Sequence, residues 1–386
     1  MRILIVTIDQ FPSGDAGSVR LLSFCEILKD LGHEVIVIGQ ADVQPYVSHS
    51  YRGFEYFSLR SVSKKYSSRI MNYIGNKNRM KKIITKLSET KKIDSILITL
   101  LPINSLFYLK KLARRNNIKL FHDSVEWFSP QNFKWGFLSI FYLINELWNR
   151  VLIDHQFSVI SISSFLDNHF SARNIRSIRI PVILDTSEIA FRKHTNSDRL
   201  EILYAGSPAK KDYLKEIIEG MTLLNEEERK RIKLQLIGVN LHQLVGQCNV
   251  NPNHIKICKE SLQIVGRIPR EEVIKYLNSA DFTVLIRSSK LRYAKAGFPT
   301  KVAESLATAT PVICNLTSDL GLYLKDGENS IIVESATAYS FMIALRKALA
   351  LSKDDKQEMC HKARQTAEMH FDFNIYTKQM EKFLAI

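Results

Sequence analysis

The chain has 386 residues, more than one ordinary hydrophobic core organises, so its length predicts two or more domains. With 45% hydrophobic and 24% charged residues, and only 15 Gly and 10 Pro, its composition excludes disordered and fibrous classes. Fifty-four Lys and Arg against 39 Asp and Glu leave a net charge of +15, which bears on partners rather than on fold.

Met1-Arg2 runs directly into the apolar stretch Ile3-Leu4-Ile5-Val6-Thr7-Ile8, which is expected to be a buried first strand rather than a secretory leader. From there, short apolar runs alternate with amphipathic patterns, as in parallel sheets with crossover helices. In the first half, strands are predicted at 3–8, 34–39, 54–59, 95–100, 119–123 and 157–161, with helices at 19–31, 67–89, 104–116 and 137–154. The apolar stretch 133–153 is interrupted by Lys134, Asn145, Glu146, Asn149 and Arg150, so no membrane span is expected there. Residues 185–199 are polar without a clear period and are predicted to be a linker. The series then restarts, with strands at 200–205, 233–238, 255–265, 282–286, 310–314 and 329–333. Helices are expected at 212–224, 270–280, 301–309, 336–351, 353–371 and 374–384. The predicted fold class is therefore α/β: two doubly wound parallel sheets, 1–184 and 200–373, with about 374–386 packing back on the first domain.

The five cysteines, Cys25, Cys248, Cys258, Cys314 and Cys360, show no Cys-x-x-Cys pair and no His at zinc-ligand spacing. A reducing compartment, no structural metal and a cytoplasmic protein are expected.

Ligands of open α/β sheets bind at the carboxyl ends of the strands, so the loops that follow strands carry the candidate residues. The most informative is Gly297-Phe298-Pro299-Thr300-Lys301-Val302-Ala303-Glu304. A Gly-x-Pro turn that opens a helix leaves the first backbone N–H groups, around Thr300 to Val302, at the positive end of the helix dipole, a seat for phosphate. Glu304 lies on the same side as Thr300 and Lys301, placed to accept ribose hydroxyls, or else it is an ordinary surface residue. Gly206-Ser207-Pro208-Ala209-Lys210-Lys211 also follows a strand and opens a helix, with two lysines at its mouth. Val265-Gly266-Arg267-Ile268-Pro269 is a third such loop. In the first half, Gly14 and Gly17 follow strand one without the Gly-x-Gly-x-x-Gly dinucleotide spacing, and Arg20 stands in the next helix. His122, Asp123 and Glu126 come at the end of strand 119–123, where they are expected either to reach a ligand or, for His122, to pack with its ring satisfied by backbone.

The stretch from Ala296 through Glu304 to Pro311-Val312-Ile313 resembles the donor-binding signature of family 4 glycosyltransferases, retaining enzymes with the GT-B fold. Their pattern is Glu, seven residues, Glu, then Ala-x-Gly-x-Pro-Val-Ile; here the first acid position is Ala296 and the Gly position is Ala309. The resemblance implies two Rossmann-like domains facing each other across a cleft, with the donor on the C-terminal one. It implies donor contacts from Gly17, Gly206, Ser207, Lys210, Lys211, Gly266, Arg267, Phe298, Pro299, Thr300, Lys301 and Glu304. In that family an Arg often follows the first loop Gly, where this chain has Ser207. The resemblance further implies that Lys211, or Lys210 as second choice, neutralises the leaving diphosphate and that His122 contacts the transferred sugar. Asp123, Glu126 and Arg20 are candidates for the acceptor side.

The expected activity is metal-independent transfer of a sugar from UDP- or GDP-sugar, a substrate rather than a cofactor, to a glycan. A polyprenyl-diphosphate-linked acceptor for a bacterial surface polysaccharide is the expected class. A nucleotide-sugar epimerase or a non-catalytic subunit are the alternatives. Basic residues crowd 51–92, and aromatics run from Trp127 to Trp148, which suits peripheral contact with an anionic membrane at its inner face. No nucleic-acid module accompanies the charge.

Overall fold

The structure is a computed structural model that describes all residues except 13, 15, 45, 60–65, 192–196, 208–210 and 386, and the side chains of 16 and 66–75 also lie outside the description. The chain divides into two compact units. The first comprises residues 1–127, 140–184 and 373–386; the second comprises 128–139 and 185–372.

The first unit is built on eight strands: β1 (Arg2–Gln10), β2 (Glu34–Gln40), β3 (Ser48–Tyr51), β4 (Phe54–Ser58), β5 (Ser95–Ile98), β6 (Lys119–Ser124), β7 (Phe157–Ser161) and β8 (Ser177–Arg179). Their order is β3-β4-β2-β1-β5-β6-β7-β8, and only the β3–β4 pair is antiparallel. The run Ile3-Leu4-Ile5-Val6 is buried throughout, because a strand covered on both faces must be apolar at every position. The closing helix Thr377–Leu384 inserts Met380, Phe383 and Leu384 into the core shared by Phe24 of helix Ala16–Asp30 and Phe121 of β6.

The second unit has six parallel strands: β9 (Leu200–Ala205), β10 (Ile232–Ile237), β11 (Leu262–Gly266), β12 (Phe282–Leu285), β13 (Val312–Cys314) and β14 (Ser330–Ile332). The order β11-β10-β9-β12-β13-β14 turns about at β9, so the loops after β9 and β12 leave the sheet side by side at its switch point.

Four expectations fail locally. The helix expected over 137–154 is three pieces: a 3-10 turn Gly136–Leu138, an α-helix Ile140–Leu147 and a π-helical turn Trp148–Leu152. Ser139, extended at φ −69 and ψ 124, separates the first two. The strand expected from 255 begins only at Leu262, because Asn251 caps a helix with Pro252 at its first position, Pro252–Ile257. β3 went unforeseen although Arg52 and Gly53, at φ 52 and 83, form the left-handed pair that a tight hairpin needs. β8 went unforeseen as well: it is three half-buried residues with one apolar side chain, too short for periodicity to register.

Candidate functional site

At the switch point of the second sheet, the side chains of Tyr204, Asp212, Arg287 and Lys301 converge, and a fifth, Asn315, fixes the backbone of one of them. Tyr204, the fifth residue of β9, donates its hydroxyl to Asp212 Oδ2 at 2.8 Å. Arg287, just past β12, donates Nε to Asp212 Oδ1 at 2.7 Å, and the backbones of the two residues bridge. Asn315, one residue beyond β13, fixes the Arg287 backbone by a pair of bonds, 2.9 Å to its N–H and 2.8 Å from its C=O. Lys301, the second residue of helix Thr300–Ala307, donates Nζ to Asp212 Oδ2 at 2.5 Å and to the Tyr204 hydroxyl at 3.2 Å.

The electrostatics follow from this packing. Burial would raise the Asp212 carboxyl's pKa, but the Lys301 ammonium and the Arg287 guanidinium outweigh it and hold the group well below the usual carboxylate range. Burial lowers Lys301, Asp212 opposes that, and Arg287 adds to it, so the ammonium sits below its ordinary value. Burial and the Asp212 charge push Tyr204 well above its ordinary value, and it stays a neutral donor. Two cations against one carboxylate leave the cluster positive. The Thr300 helix start, which no side chain caps, adds its partial positive charge.

Gly206 makes this arrangement possible. A Cβ on it would stand 2.2 Å from Lys301 Nζ, so only a residue without a side chain lets the ammonium come against the turn. Gly238 and Gly266 end the neighbouring strands and step the backbone sideways: Gly206 N–H donates to Ile237 O at 3.0 Å and Gly238 N–H to Gly266 O at 2.7 Å.

The Gly206 turn and the Phe298–Glu304 segment are thus brought together, but by a different side chain from the one expected. Among the described residues, the cation at the turn is Lys301. Lys211 instead lies over the rings of Phe128 and Tyr293, 5.3 and 5.8 Å from their centroids, and its carbonyl accepts the Tyr293 hydroxyl. Lys210 lies outside the described residues, and Ser207 is exposed. The Phe298 ring is a core anchor, edge-on to Tyr323 and tilted against Phe371, which leaves only its backbone for a ligand. Pro299 is the helix N-cap and Thr300 its first residue. Glu304 is half-buried and accepts Arg270 at 2.7 Å, an ion pair half-open to solvent and so worth little. Arg267 is exposed beside Gly266. Ala296, at the first acid position, is fully buried.

The first-unit candidates group differently. Asp123 does not face outward: it receives Arg20 through Nε and NH2 at 2.8 to 3.1 Å, both side chains buried, while the guanidinium also donates to the carbonyls of Ile180 and Pro181. Arg20 and Asp123 therefore neutralise each other and tie the first helix to β6, and the expectation that each meets an acceptor is corrected. His122 is a packed ring, its Nδ1 3.2 Å from Ile98 O and its face 5.3 Å from Trp148, which is the backbone-satisfied alternative. Burial lowers its pKa to about 4, against smaller raising effects of Asp123 and the Ile98 carbonyl. Glu126 is exposed and Gly17 lies in the first turn of helix Ala16–Asp30.

Sequence reasoning missed Tyr204, Asp212 and Arg287. Arg287 had a usable signal, since it is the first charged residue after a buried strand, at the same sheet end as Gly206. Among the described residues no group of three or more His, Cys, Asp or Glu is placed to hold a metal ion.

Residues 185–369 match the model of a family described as glycosyl transferases group 1. A comparison with curated protein sequences finds no match. Among solved structures, sucrose-phosphate synthase from Thermosynechococcus elongatus is similar over 100% of this chain and 98% of its own, with a TM-score of 0.76 at 14% identity. HepE from Anabaena, in complex with UDP, is similar over 100% of both chains, with a TM-score of 0.69 at 13% identity. WaaG, a glycosyltransferase of lipopolysaccharide biosynthesis, covers 99% of each chain at a TM-score of 0.67 and 14% identity. The fold is GT-B. At these identities the likeness carries the GT-B architecture and nothing of specificity.

Proposed function

We propose that the protein is a retaining glycosyltransferase of the family 4 type. In this reading it takes a sugar from a UDP- or GDP-linked donor and passes it to a glycan carried on a polyprenyl diphosphate, in the assembly of a bacterial surface polysaccharide. The observation that carries the reading is the Lys301 ammonium held against the Gly206 turn at the start of an uncapped helix. Fixed cations at that spot stabilise a departing diphosphate more than an intact donor, because negative charge accumulates there as the sugar–oxygen bond breaks. Asp212 keeps Lys301 charged and aimed, and Arg287 supplies a second positive charge of the kind that Ser207 lacks. Glu304 accepts ribose hydroxyls once its exposed partner Arg270 gives way. Further support comes from the family match over 185–369 and from HepE, which is described in complex with UDP and with UDP-glucose.

The test is product analysis. The protein is incubated with UDP- and GDP-sugars, with and without a polyprenyl-diphosphate-linked glycan. Acceptor-dependent release of nucleoside diphosphate with retention at the sugar's anomeric carbon is the expected result. An isomerised donor formed without acceptor makes the protein an epimerase, and indifference to every donor makes it a non-catalytic subunit.

A further inference from the structure

The helix Ile140–Leu147 and its π-helical continuation Trp148–Leu152 are apolar on the side that faces out as well as on the side that packs in. Ile140, Leu143, Leu147 and Val151, at i, i+3, i+7 and i+11, form one exposed stripe; Ile140, Leu143 and Val151 are each more than half exposed, as is Phe141 beside them. The opposite side buries Tyr142, Trp148 and Leu152 and, among them, the amides of Asn145 and Asn149. A surface helix that meets only water carries charged and polar residues on its outer face.

The orientation is locked by polar bonds. Asn145 Nδ2 donates to Glu126 O at 3.3 Å, Asn149 Nδ2 to Asn145 O at 2.9 Å, and Arg173 and His169 both hold the Asn149 carbonyl. Rolling the stripe inward would strip these buried groups of their partners, at about 1–3 kcal/mol each. The apolar face is therefore built to point outward.

The surroundings say what it meets. The connections β4 to β5, β5 to β6 and β6 to β7 all advance across the sheet in one direction, so right-handed crossovers put their helices on one face. Lys110 Nζ ties the middle helix, Ile103–Asn116, to the π-helical turn through Leu152 O at 3.1 Å. That helix presents Phe107, Lys111, Arg114 and Arg115 outward at i, i+4, i+7 and i+8. Its neighbour, Tyr66–Thr90, presents Lys81, Lys82 and Lys86. Of the basic block read from the sequence, Arg60, Lys64 and Lys65 and the side chain of Arg69 lie outside the described residues.

We infer that this face of the first unit docks on an anionic lipid surface, the Ile140–Val151 stripe entering the interface while the cations of the two adjoining helices meet lipid phosphates. Apolar area plus several cations, each worth about 1 kcal/mol near a charged bilayer, is the combination that gives reversible surface binding. No helix among the described residues is long and apolar enough to cross a membrane, so the contact is peripheral. It stands apart from sugar transfer, since the stripe contains no donor-binding residue.

The experiment is co-sedimentation with vesicles of phosphatidylcholine alone and with added phosphatidylglycerol, at low and high salt. Wild type should pellet with the anionic vesicles, less so at high salt, and remain in solution with the neutral ones. Leu143→Glu/Val151→Glu should weaken partitioning about tenfold or more with an unchanged thermal midpoint, both side chains being exposed. Lys111→Glu/Arg114→Glu should remove the preference for anionic lipid. Wild type that ignores anionic vesicles, or a stripe variant that binds them equally well, overturns the inference. So does a dimer in analytical ultracentrifugation that the stripe variant dissolves, which assigns the stripe to a second copy of the chain.

Discussion

His122 shows how a residue at a promising address can serve the core. It stands near the carboxyl end of β6, but its imidazole is buried between Trp148 and the Ile98 carbonyl, and burial lowers its pKa from 6.5 to about 4. The unfolded imidazole binds a proton below about pH 6.5 and the folded one only below about pH 4, so the unfolded chain takes up more protons across that window. Stability of the first unit therefore falls as pH drops from about 6.5, by about 3 kcal/mol once the window is crossed. Urea unfolding followed by tryptophan fluorescence between about pH 7 and about pH 5 checks this. Wild type should lose about 2 kcal/mol more than His122→Asn, whose amide keeps a donor for Ile98 O without titrating. The Gly206 and Phe298–Glu304 segments were legible as residues because loop chemistry is local. The partners were not: Asp123 meets an arginine 103 positions away and Lys301 a carboxylate 89 positions away, and no local spacing encodes such meetings.

Among the elements, the strands were the most legible, since β1, β2, β9 and β12 contain short apolar runs that are mostly buried. Breaks inside apolar stretches were the least legible: nothing in the apolar run 137–154 announces that Ser139 turns extended or that the last turn widens to a π-helix. The ends of β9, β10 and β11 carry the finest constraint. Gly238 has φ +85, and a Cβ there would lie 2.5 Å from the Gly206 carbonyl oxygen. Gly238→Ala should cost about 3 kcal/mol of second-unit stability through strain and the clash with backbone. Gly246→Ala, at a helix position whose nearest neighbour atom would be 3.9 Å away, should change it by less than about 1 kcal/mol. Thermal or urea unfolding of the two variants compares them.

The whole molecule joins two Rossmann-like units, each with its own sheet and core, and the sequence made this division readable through the restart of the strand–helix alternation near residue 200. What it did not make readable is that residues 128–139 leave the first unit for the second, where the Ser129 hydroxyl accepts the Tyr293 N–H at 3.1 Å and the Phe128 ring receives Lys211. The central claim concerns the second unit: a diphosphate held where Lys301 meets the Gly206 turn. Isothermal titration with UMP, UDP, GMP and GDP tests it most directly, comparing wild type with Lys301→Gln. Wild type should prefer one diphosphate over its own monophosphate, and Lys301→Gln should weaken that diphosphate about tenfold, about 1.4 kcal/mol, while leaving the monophosphate nearly unchanged. A wild type that binds none of the four, or a Lys301→Gln protein that still folds and keeps full preference for the diphosphate, would contradict the account.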